Sequence, residues 1–439
     1  MRSTFTFTTL ILTILMYAQN TEPLSLSLDE AIASALQNQV TLKNAQLDID
    51  YANTQVSEVK AQGLPQVNGT GNFMHSFLVP TSIIPGEFAG GAPGSTIPVQ
   101  FGVPFTATAG VGVQQLLFDG TFFLGLKAAS EFVNISKLSL ESSEIEVKEA
   151  VTKAYYMALI SEQNIAQLSE SLTNIENLKE ETKKLYEEGF AEQLDVDRLV
   201  LSVSNLEINI AKLKSQAGLT KQLLLNTMGL EVTKSVILTS KLPAIDSTKT
   251  TELNAGNRVE MKLLDQQQRL NELTFKRYKM GYLPSLYGSF SYGANTFATE
   301  NQFGDLGGEW FGNGSYGIAL SVPIFDGFYK KAKMDQAKID IRKTENTKQQ
   351  LAQSVSLQIN QAKTTYDNAL KTLELQEKTK TLAERIYKTT QIKFKEGVGS
   401  SFEMINAESE LTTAHTNYLN ALYELNVAKI DLNKALGTL

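Results

Sequence analysis

Two stretches of this chain, residues 64–123 and 282–329, contain no lysine or arginine, although the 439-residue sequence has 40 of them. The same 108 residues hold 20 of the 37 aromatic residues, 19 of the 29 glycines and eight of the ten prolines. Their six charged residues are all acidic: Glu87, Asp119, Glu300, Asp305, Glu309 and Asp326. Segregation this sharp means two kinds of structure facing two kinds of solvent.

Within these stretches the apolar period is two. Tyr316, Ile318, Leu320, Val322 and Ile324 alternate with Ser315, Gly317, Ala319, Ser321 and Pro323. Phe105, Ala107, Ala109, Val111 and Val113 oppose Thr106, Thr108, Gly110 and Gly112. Leu286, Phe290 and Tyr292 oppose Ser285, Ser289 and Ser291, and a weaker alternation runs through 66–77. The pattern predicts strands over 66–77, 105–118, 285–297 and 315–325. Strands of about ten residues, apolar on one face, small and polar on the other and rich in aromatics, are the mark of a transmembrane β-barrel. A soluble sandwich with one buried face would also alternate, but it gives no reason to exclude every base. Four strands in two hairpins are too few to close a barrel, and an open edge is not tolerated in lipid. The strand count therefore predicts a barrel shared between copies of the chain.

Export is written at the N-terminus. Residues 1–18 have Arg2, a mostly apolar run from Phe5 to Tyr17, and Ala18 at a plausible cleavage point, the layout of a signal peptide. That run is too short for a comfortable helical span, and no later stretch approaches 18 apolar residues, so membrane insertion would have to use strands. The segments joining the paired strands, 78–104 and 298–314, are glycine-rich and read as outward loops. Gly90-Gly91 lacks the Lys-Ser/Thr of a phosphate-binding loop.

The remainder reads as long helix. Leu199, Val203, Leu206, Ile210, Leu213 and Ala217 follow alternating spacings of four and three. So do Val355, Ile359, Ala362, Tyr366, Ala369 and Leu373, and Ala407, Leu411, Ala414, Tyr418, Ala421, Leu425, Ala428 and Leu432. This is the rhythm of left-handed coiled-coil packing. Residues 131–187 lack proline, are well charged, and as one helix would measure about 85 Å, far beyond a hydrocarbon layer of about 30 Å.

The order of parts occurs twice. Asn38 and Asn257 each open an expected helix that ends in Leu64-Pro65 or Leu283-Pro284, offset by 219; Phe118-Asp119-Gly120 recurs as Phe325-Asp326-Gly327, offset by 207; Gly189 and Gly229 recur as Gly397 and Gly437, offset by 208. The expected organisation is a signal peptide (1–18), a first repeat (19–230), a connector (231–251) and a second repeat (252–439). Each repeat is helix, strand, loop, strand, helix, glycine turn and helix. The junctions have physical causes. Ser27–Glu30 is a capping box, Pro65 and Pro284 end a helix as it enters a strand, and Asp119 and Asp326 can cap the helix after the second strand.

This arrangement resembles the TolC-like outer-membrane efflux proteins of Gram-negative bacteria. The likeness rests on GLP at 63–65, YLP at 282–284, VPIFDGF at 322–328, LYEEGFAEQLDV at 185–196 and KFKEGVGSSFEM at 393–404, in that duplicated order. It implies a mixed α+β membrane protein: a homotrimer whose four strands per chain form a twelve-stranded barrel in outer-membrane lipid, continued in the periplasm by a helical coiled-coil tunnel. It implies passive export through a tripartite efflux or type I secretion system, with a periplasmic adaptor and an inner-membrane pump as partners. Gly189-Phe190 and Gly397-Val398 match the tip turns that adaptors grip. Asp195 matches an acid that latches the tunnel mouth, but its usual tyrosine and arginine partners fall on Phe394 and Gly399, which cannot repeat that latch. Glu403 retains one acid of a ring whose next member is Asn406, while Glu187, Glu188 and Glu192 lie close in sequence.

Other functions find little support. The chain has no cysteine and only two distant histidines, His75 and His415, so thiol chemistry, disulfides and a histidine metal site are not expected. A net charge of -7 disfavours nucleic acid, and no nucleophile–base motif or nucleotide loop points to an enzyme or a cofactor. A surface stalk or adhesin built on coiled coils remains an alternative, but it would need no polar strand face.

Overall fold

The computed structural model describes residues 24–242, 258–300 and 309–439. The expected signal peptide, Asn257, Pro243 with the rest of the connector after it, and the middle of the second loop lie outside the described residues. In chain order the elements are β1 (Leu24–Leu26), α1 (Leu28–Asn38), α2 (Val40–Ala61), β2 (Gln66–His75), β3 (Thr81–Pro85), β4 (Thr96–Gln100), β5 (Phe105–Phe118), α3 (Gly120–Glu187), α4 (Gln193–Thr227), β6 (Val236–Leu238), α5 (Val259–Met280), β7 (Ser285–Ala298), β8 (Phe311–Ser321), α6 (Tyr329–Lys395) and α7 (Ser401–Leu436). A 3₁₀ turn, Gly86–Ala89, joins β3 to the segment before β4. Among the described residues there are two compact units. One holds residues up to Ile49, Ser136–Asp265 and Asn346–Leu439; the other holds Asp50–Ile135 and Gln266–Glu345. Both draw on both halves of the chain.

The second unit contains one antiparallel sheet in the order β2-β5-β7-β8. Its register turns the sequence alternation into two faces. Asn68, Gly112, Ser291 and Ser315 lie side by side across the four strands, and the Ser291 and Ser315 hydroxyls are 2.8 Å apart. The adjacent row is Val67, Val113, Phe290 and Tyr316. That apolar face is uncovered within one chain: Tyr316 is 90% exposed and Ile318 73%. Every residue of β2 and β8 is exposed, and neither strand has a second hydrogen-bonded neighbour among the described residues. β8 begins at Phe311, upstream of the alternation that marks 315–325, because Phe311–Gly314 pair with Tyr292–Asn295 although they alternate poorly. It ends at Ser321, just before Pro323, which cannot donate to a ladder. The expected loop 78–104 contains its own hairpin, β3 against β4, and the Glu87 carboxylate accepts the Gly94 amide at 3.1 Å within its turn.

The junctions around the sheet are made by short-range bonds. The Gln66 amide donates to Ala61 O at 2.8 Å and Leu64 O at 3.1 Å, satisfying carbonyls left open where α2 ends before Pro65. Asp119 Oδ1 accepts the amides of Thr121 (2.6 Å) and Phe122 (3.3 Å), so the carboxylate caps α3 and the helix starts at Gly120, eleven residues before the uninterrupted charged run at 131. Asp326 Oδ2 accepts Lys330 N at 3.1 Å and pairs with its ammonium at 3.2 Å. The 68 residues of α3 span about 100 Å.

The first unit is helical. Ser27 and Glu30 form the reciprocal capping box at the start of α1. Asn38 closes α1 rather than opening a helix: its side chain bonds back to Ser34 O at 2.9 Å, and extended Gln39 separates α1 from α2. The heptad positions are the seam. Leu199, Val203, Ile210 and Ala217 are buried on α4; Val355, Ile359, Tyr366, Ala369 and Leu373 are buried on α6. On α7, Ala407, Leu411, Ala414, Ala421, Leu425, Ala428 and Leu432 are buried, with Tyr418 half-buried. Tyr366, Ala369 and Leu373 pack with Ala421, Leu425, Ala428 and Leu432. A second core forms around fully buried Tyr155, with Ala31, Ala35, Val151, Leu224, Met228 and Val236. Its hydroxyl donates to Leu26 O at 2.9 Å and accepts Ser240 N at 3.1 Å, tying the parallel pair β1–β6 to α3.

Replacing Tyr155 by Phe leaves both backbone groups without that partner. The expected cost is about 1–3 kcal/mol, read as a lower midpoint of thermal unfolding in detergent, with the apolar packing otherwise intact.

Candidate functional site: the paired helix turns

Two turns between long helices carry most of the candidate residues, and both lie in the helical unit. In the first, Gly189 has φ +82°, its amide donates to Tyr186 O at 3.0 Å, and Phe190 N donates to Leu185 O at 2.7 Å. In the second, Gly397 has φ +73°, its amide donates to Phe394 O at 3.0 Å, and Val398 N donates to Lys393 O at 3.0 Å. A left-handed residue after a helix satisfies carbonyls that the last turn leaves open, and glycine adopts it without a Cβ penalty. No atom lies within 4 Å of a Cβ built at either glycine, so the backbone angle alone selects it. The turns present apolar tips to solvent: Phe190 is 80% exposed and Val398 77%.

Asp195 joins the two turns. Ser401 Oγ, in the first turn of α7, donates to Asp195 Oδ1 at 2.5 Å, and Arg198 Nη1 lies 3.8 Å from the same oxygen. The other oxygen, Oδ2, accepts the Glu192 amide at 3.4 Å. The Arg198 guanidinium in turn sits 5.5 Å from the centre of the Phe402 ring. Ser400 caps α7 by accepting Glu403 N at 3.2 Å. Glu403 and Asn406 are both exposed on that helix.

The expected neighbours of Asp195 have other work. Phe394 packs against the apolar cluster of Ile175, Leu178, Leu199, Val203 and Met404. Gly399 meets the end of α6, where a built Cβ would stand 3.0 Å from Phe394 N, so a side chain here would crowd the helix end. Ser401, Arg198 and Phe402 are the residues that sequence reading missed. Arg198 was visible as an i, i+3 partner of Asp195; Ser401 was not, because 206 positions separate it from Asp195. Glu187, Glu188 and Glu192 are exposed around the first turn.

Among the described residues no helix is long and apolar enough to cross a membrane. A sheet with an uncovered apolar face, together with long charged coiled-coil helices, defines the class of outer-membrane channel proteins. The model of the family "Outer membrane efflux protein" matches residues 31–230 and 278–438, and this chain belongs to that family, whose place is the outer membrane. It is 20% identical over 339 residues to the outer membrane protein TolC of Vibrio cholerae serotype O1, covering 76% of this chain and 77% of that one. It is 22% identical over 418 residues to the antibiotic efflux pump outer membrane protein ArpC of Pseudomonas putida, covering 94% and 83%. Among solved structures, the outer membrane protein VceC from Vibrio cholerae superposes with a TM-score of 0.69 at 15% identity over 93% of this chain and 96% of that one. CusC superposes with a TM-score of 0.70 at 17% identity over 93% and 92%. The fold is therefore that of the solved outer-membrane channels.

Ser401→Ala removes the shortest bond between the turns while leaving Arg198 in place. The expected loss is about 1 kcal/mol for a half-exposed charge-assisted bond, seen as roughly fivefold faster amide exchange over 188–200 and 396–404. Unchanged exchange would mean that each turn is held by its own helices alone.

Proposed function

We propose that three copies of this chain form a passive export conduit. Each contributes four strands to a twelve-stranded barrel in outer-membrane lipid, and the long helices form a coiled-coil tunnel in the periplasm. The carrying observation is the four-stranded sheet whose outer strands β2 and β8 each have one edge unpaired among the described residues and whose segments contain no base. Such edges are satisfied only by further strands, and in lipid only by closure. The polar row through Asn68, Ser291 and Ser315 faces the water-filled lumen, and the Val67–Tyr316 row faces lipid. A surface stalk has no use for that polar row.

In this reading residues 1–18 direct export, and the halves 19–230 and 252–439, joined by 231–251, descend from one duplicated unit. Chemistry belongs to the partners. An inner-membrane pump supplies the substrate and the energy, a periplasmic adaptor grips Gly189-Phe190 and Gly397-Val398, and the chain has neither a catalytic group nor a cofactor. Asp195, Phe394, Gly399, Glu403 and Asn406 surround the periplasmic mouth. There the polar latch is made within one chain by Asp195 with Ser401, in place of the Tyr/Arg arrangement implied by the resemblance. The neutral polar lining of the strands leaves selection to the pump.

The purified protein in detergent is expected to have three times the chain mass and to conduct ions in a planar bilayer. A monomer that stays soluble without detergent would overturn the proposal.

A further inference from the structure

Glu408 on α7 is only 3% exposed, and among the described residues neither of its carboxyl oxygens accepts a hydrogen bond of good geometry. The groups facing it come from several helices. α3 brings Glu170, Ser171 and Asn174, and α6 brings Tyr387. Ser171 is itself 1% exposed, and its hydroxyl is shared with Thr412 Oγ1 at 2.8 Å. On the side of α4, Glu408 lines a groove of about 520 Å³ together with Arg198, Asn205 and Asn209, and Arg198 is already paired with Asp195. One heptad further along α7, His415 Nε2 lies 3.3 Å from Glu384 Oε1 of α6, with Lys380 and again Glu170 nearby. Glu170 of α3 thus faces both Glu408 and His415 of α7.

A carboxylate buried without well-aligned hydrogen bonds is expensive, and a like charge beside it adds to the cost. Burial, with the Glu170 charge adding to it, pushes the Glu408 carboxyl above the usual range, although Ser171, Tyr387 and Asn174 act in the opposite sense. Burial and the nearby Glu408 likewise push the Tyr387 phenol up, so it stays a neutral donor. Burial moves His415 the other way, toward its neutral form.

We propose that Glu408 is a proton-operated latch of the helical bundle beside the tunnel mouth. With its proton it allows α3, α6 and α7 to close on one another; without it, its charge faces Glu170 in a site with little water and drives the helices apart. Because its pKa is raised by folding, the stabilisation it allows is fully present below the ordinary carboxyl range. That stabilisation is lost as pH rises through the folded value. Ser401 and Met404, which hold the turn and its apolar cluster, lie within two turns of it on the same helix, so this loosening reaches the mouth. The inference rests on the conduit reading for its consequence, but not for its first step.

The test uses the full-length assembled protein in two measurements. In planar bilayers stepped from acidic to mildly alkaline pH, the open-to-closed ratio is expected to rise, by up to about tenfold for each unit by which the pKa differs between the two states. Glu408→Gln is expected to hold the acidic value throughout, Glu170→Gln to move the transition to lower pH, and His415→Gln to keep the rise. In parallel, nitroxide labels on Thr173→Cys of α3 and Glu410→Cys of α7, both exposed positions in a chain with no native cysteine, should separate as pH rises, and should not do so with Glu408→Gln. Equal distance profiles with and without Glu408→Gln, or equal conductance profiles in channels that do conduct, would overturn the latch. Silence in the bilayer at every pH, with the distance change intact, would defeat the conduit reading and leave the latch standing.

Discussion

A backbone amide or carbonyl in hydrocarbon has no water to bond to, and each one left unpaired costs several kcal/mol. The rest of the structure depends on how this chain meets that constraint. Among the described residues its sheet has four strands, with β2 and β8 at the open edges. Side chains alone cannot repair such edges, so the remedy is more strands of the same kind, arranged to close. The same medium explains the exclusion of lysine and arginine from 108 residues and the bare aromatic and aliphatic face carried by Tyr292, Tyr316, Ile318 and Leu320.

The helices answer a different solvent. Their seams are narrow and built largely from small and medium side chains, so α6 and α7 pack through Ala369, Ala421 and Ala428 as well as through leucines. Small seam residues let helix axes approach closely over a long distance without a thick core. Where the helices reverse, two glycines with positive φ end them, and one carboxylate, Asp195, accepts from a serine that belongs to the other turn. That bond joins the two halves of the chain at their exposed turns.

Much of this was legible beforehand, for reasons that can be named. β5 matches the expected 105–118 and β7 runs one residue past the expected end at 297, because alternation over a half-exposed strand leaves little freedom of register. Most heptad positions on α4, α6 and α7 are buried as their spacing requires, while Leu206, Leu213, Ala362 and Tyr418 are half-buried. Other features left weaker traces. The pairs β1–β6 and β3–β4 are too short for periodicity to register, and β1 depends on Tyr155, 129 residues from Leu26. Asn38 has the composition of a cap but binds backwards to Ser34. At the paired turns, Phe394 and Gly399 cannot repeat the expected latch; Asp195 instead finds Ser401, two positions past Gly399, through a contact no local pattern encodes.

The central claim is that β2 of one copy pairs with β8 of the next. The absence of native cysteine makes this directly measurable, because any disulfide formed must be an introduced one. A panel of paired cysteines, one drawn from Val67–Phe73 in β2 and one from Tyr316–Leu320 in β8, should on mild oxidation in membranes give covalent species of two and three chains, ending at three. Chains that remain monomeric across the whole panel, or a ladder that continues past three, would contradict the account.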